Sequence, residues 1–197
     1  MTRAEVRPSP ASVTTARPRR VLGIDPGTAV TGYGVVDYDG RTTTLVECGV
    51  IRTNAKDPLA ARLHYIHEGV VELIARHQPQ SVAVEDVFFA RNVRTTIVLG
   101  HARGVILLAA QMAALTIHEF PPAEIKKAIT GTGAATKQQV QFMVAKLLRL
   151  KSAPQPADAA DGVAAALCAC LAPAFATSFS RFPSLKDFPL QTTKRPR

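Results

Sequence analysis

Over the first quarter of the chain apolar positions alternate with polar or glycine positions, and beyond residue 58 they recur at steps of three and four. The alternating part predicts three strands, VLGID (21–25), TGYGVVDYD (31–39) and TLVECGVIRT (44–53). Asp39-Gly40 is a hairpin signal between the second and third, so the three should form an antiparallel meander. Asp57-Pro58 predicts a helix start, with Asp57 as N-cap, Pro58 at the first helical position and Leu59, Leu63, Ile66, Val70 and Leu73 as the apolar stripe. SVAVEDVFF (81–89) reads as a fourth strand that brings Glu85 to its end. A long helix should follow from about Thr95 to Leu115, apolar around most of its circumference, with Gly100 and Gly104 four apart on it. LTIHEF (115–120) is a short strand stopped by Pro121-Pro122, and AEIKKAI (123–129) a brief helix. Thr136 should cap a helix with Val140, Met143, Val144, Leu147 and Leu148 inward, and Asp158 and Asp161 open a last one. Strands that first run consecutively and then alternate with helices predict an α/β or α+β domain, a mixed sheet flanked by helices.

Composition narrows this. With 197 residues, 47% hydrophobic and 20% charged, the chain fits one stable globular domain. The pattern suggests a disordered basic arm (1–20), the domain (21–174) and a flexible tail (175–197). No apolar run reaches the ~18 residues of a membrane span, and the N-terminus lacks the apolar core of a signal peptide. The net charge of +9 and pI near 9.9 point to an anionic partner, nucleic acid first among them. Cys48, Cys168 and Cys170 have neither zinc spacing nor a disulfide framework and suit free thiols in a reducing cytoplasm. His64 and His67, one turn apart, have no third ligand nearby and read as a solvated face.

The chemistry rests on acids. Asp25 ends an apolar strand before the Pro26-Gly27 turn, and Glu85 repeats that placement. Either could merely bond turn amides, and Asp158 with Asp161 could merely complement a helix dipole. Together the four would form a cluster of like charges that cannot all ionise without cations, and oxygen-only ligands select Mg²⁺ or Mn²⁺. Two such ions about 4 Å apart suit phosphodiester hydrolysis, with Asp25 as the bridging acid. The loop TGTGAAT (130–136) lacks the G-K-[ST] of a P-loop, and no Ser-His-Asp or Cys-His arrangement competes.

Four motifs in order, GIDPGTAVTGYGVV (23–36), VEDVFFARN (84–92), LGHARGV (99–105) and PADAADGVAAA (156–166), resemble the RuvC-type Holliday-junction resolvases of the ribonuclease H-like superfamily. The resemblance implies an α/β ribonuclease H-like fold, a mixed five-stranded sheet whose first three strands are antiparallel and whose later strands are parallel. It further implies a cytoplasmic homodimer that nicks two strands of a four-way DNA junction symmetrically, leaving 5′-phosphate and 3′-hydroxyl ends, beside a branch-migration motor complex. Carried over by position, Asp25, Glu85, Asp158 and Asp161 are the catalytic and metal-holding carboxylates, with two Mg²⁺ per subunit or Mn²⁺ in their place. Phe88 would stack on an unpaired base, worth about 1–3 kcal/mol. Lys126 and Lys137 would sit near the scissile phosphate, with Lys127 an alternative to the first, and Arg91 and Arg94 would contact the backbone. Asp86 departs from the family's usual glutamine, and strand alternation should turn it away from Glu85. The rival readings are a ribonuclease H-like nuclease for structured RNA, a junction-binding protein without chemistry, and an actin-like ATPase, for which the chain is too short.

Overall fold

A computed structural model describes residues 18–86 and 93–172. Five strands form one sheet: β1 (Arg19–Asp25), β2 (Val30–Tyr38), β3 (Thr43–Arg52), β4 (Ser81–Glu85) and β5 (Thr116–Phe120), in the order β3-β2-β1-β4-β5. β2 pairs antiparallel with β1 and β3, whereas β1–β4 and β4–β5 are parallel. This is the mixed five-stranded sheet expected. β1 starts at Arg19, ahead of the apolar run, because Arg20 is tied into the sheet. Its guanidinium donates to both carboxylate oxygens of Asp37 on β2, at 2.7 and 2.8 Å, and to the His77 carbonyl at 3.1 Å.

The helices are α1 (Leu59–His77), α2 (Val93–Met112), α3 (Pro122–Thr130), α4 (Lys137–Leu147) and α5 (Ala157–Leu171). Asp57 does not cap α1. Pro58 holds the N-cap position in extended backbone, and Asp57 instead closes a turn in which its amide donates to the Asn54 carbonyl at 3.1 Å. Thr136 caps α4 as expected, in a capping box: its hydroxyl accepts from the Gln139 amide, and the Gln139 side chain accepts from the Thr136 amide.

Alternation along the strands divides the core in two. Leu22, Ile24, Val82 and Val84 face α1 and α2, while Val21, Ala83 and Phe120 face α3, α4 and α5. By length and composition α2 is apolar enough to cross a membrane. Its Ala102, Ile106, Ala109 and Ala110 side is nevertheless built into the core against the sheet.

The buried helix α5 lies directly on β1 and β2. At Gly32 a Cβ would run into the Asp158 carbonyl, and at Gly162 one would run into the backbone of Tyr33. Backbone therefore meets backbone where glycine alone leaves room. Most of the expected arm (residues 1–17), most of the expected tail (173–197), and Phe88, Phe89 and Arg91 lie outside the described residues.

Gly32→Ala should lift the start of α5 from the sheet. Urea unfolding should show a loss of about 2–3 kcal/mol, the scale of overpacking a tight core, whereas Gly131→Ala, where a Cβ meets nothing, should act only through its left-handed backbone.

Candidate active site

Parallel sheets offer ligand sites beyond the carboxyl ends of their strands. β1 and β4 are parallel neighbours, paired through Ile24 and Val84, so their next residues, Asp25 and Glu85, emerge side by side. Asp25 shares its face with Val21 and Gly23, and Glu85 shares its face with Ala83, which is the face that α5 covers. Asp158 and Asp161 sit in the first turns of α5, three apart and hence on one side of it. Pressing α5 onto Gly32, the antiparallel partner of Asp25, closes the gap. One carboxylate oxygen each from Asp25, Asp158 and Asp161 lies within 4.8 Å of the others. Glu85 lines the same cleft of about 250 Å³ with Lys126, Lys137 and Ile125.

Burial and mutual repulsion dominate the electrostatics. Burial first, and then the charges of Glu85 and Asp161, push the Asp25 carboxyl up to about 8. Burial and the Asp161 charge push Glu85 up to about 7. Asp161 is also raised by burial, against the pull of Lys137. Lys137, the first residue of α4, donates to Asp161 Oδ2 at 2.6 Å and lies 3.9 Å from Asp158 Oδ1, and the Asp161 bond raises its own affinity for its proton. The capping box at Thr136 fixes the helix end that carries it.

Lys126 and Lys137 line the cleft beside the acids, while Arg94 lies exposed near the start of α2. Phe88 and Arg91 fall outside the described residues. Alternation sends Asp86 to the opposite face from Glu85, where Arg103 of α2 reaches it at 3.2 Å and also pairs with Glu119 on β5. Sequence reasoning missed this clamp. Its members lie 17 and 16 residues apart in sequence, and only the β4–β5 pairing brings Asp86 and Glu119 together.

A model of the family described as crossover junction endodeoxyribonuclease RuvC matches residues 21–169. The chain is similar to the crossover junction endodeoxyribonuclease RuvC of Halorhodospira halophila, with 55% identity over 149 residues, 76% of this chain and 88% of the relative. Among solved structures it is similar to Thermus thermophilus RuvC, with a TM-score of 0.74 and 36% identity over 80% of this chain and 97% of the other. A second structure, T. thermophilus RuvC in complex with a Holliday junction substrate, gives a TM-score of 0.71 at 35% identity, covering 77% and 93%.

Asp25 and Glu85 hold protons in the folded chain where the unfolded chain has lost them. Their contribution to stability is full at acid pH and is lost as pH rises through about 7 to 8. In EDTA the protein should therefore melt about 5 °C or more lower at pH ~8.5 than at pH ~5.5, and Asp25→Asn should flatten that fall. Millimolar Mn²⁺ should raise the melting temperature mainly at the higher pH, where deprotonated ligands are available. A metal-free melting temperature that held constant across this range in both proteins would contradict proton retention by the cluster.

Proposed function

The chain belongs to the RuvC family of crossover junction endodeoxyribonucleases, and on that footing we propose that Asp25, Glu85, Asp158 and Asp161 are its catalytic, metal-holding carboxylates. Its activity is hydrolysis of phosphodiester bonds in four-way (Holliday) junction DNA during recombination and repair. The observation that carries the residue assignment is the convergence of acids from two strand ends and one helix: Asp25, Glu85 and Asp161 line one cleft beside two lysines, and an Asp158 oxygen lies within 4.8 Å of oxygens of Asp25 and Asp161.

The cleft fits hard divalent ions. Every candidate ligand is a carboxylate oxygen, three are near enough to share one ion, and the most buried acids cannot all ionise without added positive charge. We take the ions to be two Mg²⁺ per subunit, replaceable by Mn²⁺, which Asp25, Glu85, Asp158 and Asp161 would hold. When bound, such ions offset the phosphate charge and make water acidic enough to supply a nucleophile. The chain's own residues bind and orient: Lys126 and Lys137 face the scissile phosphate and stabilise the charge that grows on it. Water attacks phosphorus, the bond to the 3′ oxygen breaks, and the products are a 5′-phosphate and a 3′-hydroxyl. Phe88 would stack on a base at the junction centre, with Arg91 and Arg94 on the neighbouring backbone.

Two symmetric nicks call for two sites, and α2 suggests how a homodimer would form. Val93, Ile97, Gly100, Gly104, Leu108 and Met112 make one stripe along it. Val93 and Met112 are 73% and 72% exposed, and a Cβ on either glycine would meet nothing within 4 Å. These two glycines leave room on the stripe for a second chain to approach. A cytoplasmic setting and a branch-migration motor as partner complete the proposal.

With a labelled mobile junction and Mg²⁺ or Mn²⁺, paired symmetric nicks should appear, vanish in EDTA, and fall at least about a thousandfold in Asp25→Asn while binding persists. Binding without cutting under either ion would leave a junction-binding protein instead. Independently, Ile97→Asp should convert a dimer to a monomer in sedimentation and turn paired nicks into single ones; an unchanged dimer would place the contact elsewhere.

A further inference from the structure

From Ile125 to Ala157 the chain carries six cations, Lys126, Lys127, Lys137, Lys146, Arg149 and Lys151, and no acid. This stretch builds α3, α4 and the loops after each. Lys126 and Lys137 line the acidic cleft, and the other four are exposed on the same helical layer. Elsewhere three arginines are paired with acids: Arg20 with Asp37, Arg76 with Glu47 and Glu72, Arg103 with Asp86 and Glu119. Lys127, Lys146, Arg149 and Lys151 make no ion pair with any described residue.

On α4 and just past its end, Gln138, Phe142, Lys146 and Arg149 follow at steps of four, four and three, all exposed, and so form one outward stripe. Phe142 is 60% exposed, a large apolar surface to leave in water, and the Lys146 ammonium lies 5.4 Å from its ring centre. The ring seats the lysine, whose charge stays outward and unneutralised. Cations without acids, with few groups able to read base edges, match phosphates and carry little sequence information.

We propose that this stripe is a second DNA-contact surface, which holds the duplex arm leading away from the scissile phosphate; the proposal rests on the junction-nuclease reading above. Lys146 lies nine residues beyond Lys137. That is ~14 Å along the helix axis and half a turn around it, so Lys146 lies on the side of α4 away from Lys137, where only an arm that runs on past the cleft reaches it.

The test compares the full chain with Lys146→Gln/Arg149→Gln, and with Arg41→Gln as a control cation exposed on the β2–β3 turn, at the opposite end of the sheet from Asp25. Binding in EDTA to junctions with arms of ~6 and ~20 base pairs is followed by anisotropy across a salt series. Loss of two phosphate contacts should flatten the slope of log K against log salt by about two units and weaken long-arm binding about tenfold or more near 150 mM salt. Short-arm binding, the melting temperature and cutting of saturating junction at low salt should match the parent chain, and the control should change none of these. Equal slopes and equal long-arm affinities would overturn the proposal, as would a double variant that loses affinity only for anionic lipid vesicles. Failure of the parent chain to cut any junction would instead strike the underlying reading.

Discussion

Everything at the site depends on α5 lying close on the sheet, backbone against backbone where the glycines meet it. Gly32 and Gly34 on β2, and Gly162 on the helix, remove the Cβ atoms that would otherwise hold the two backbones apart. The helix pays for this closeness in its own sequence, ADAADGVAAALCACL, where only small residues and a few larger ones fit the buried circumference. The gain is positional. Helix and sheet backbones are stiff, so acids mounted on them meet with little freedom to drift, as an ion-binding constellation requires. A longer side chain at the contact would cost stability and also move Asp158 and Asp161 away from Asp25.

The same closeness creates an electrostatic tension. Acids gathered in a cleft that receives DNA repel both one another and the phosphate. Burial first, and that mutual repulsion after it, raise the proton affinities of Asp25, Glu85 and Asp161, and Lys137, bonded to Asp161, offsets part of this. The second is opposed by the layer next door, where 33 residues from Ile125 to Ala157 hold no acid. Screening confines each effect to about 10 Å at ~0.1 M salt. Negative charge can therefore be concentrated at the reaction centre while cations spaced along α3 and α4 attract the rest of the polyanion.

Much of this was legible in the sequence because it follows from period two. Alternation alone puts Asp25 with Val21, puts Glu85 with Ala83, and turns Asp86 the other way. The Thr136 cap and the small-residue last helix were legible for similarly local reasons. What escaped was non-local. Arg20 reads as part of a basic arm until the chain returns Asp37 to it. Asp57-Pro58 has the residues of a cap, yet the turn closed by Asn54 takes the aspartate and leaves Pro58 at the boundary. Gly100 and Gly104 signal close approach without saying to what, and no other described element lies within 4 Å of a Cβ placed on either. The clamp of Arg103 on Asp86 and Glu119 depends on a strand pairing that no local pattern encodes.

That clamp gives α2 a second significance. One side of the helix is built into the core through Ala102 and Ile106, its outer stripe is the proposed contact between subunits, and Arg103 grips the residue that follows Glu85. A 20-residue helix is a rigid rod of about 30 Å. Two copies joined along such rods would hold their Glu85 carboxylates at a fixed separation, because the strand end that carries each acid is bonded to the rod. Symmetric cutting needs this: two chemically independent sites must meet two phosphates set by the geometry of the junction. A dimer joined through loops would leave that spacing soft, whereas one joined through α2 transmits it along backbone hydrogen bonds and the ion pairs of Arg103 with Asp86 and Glu119.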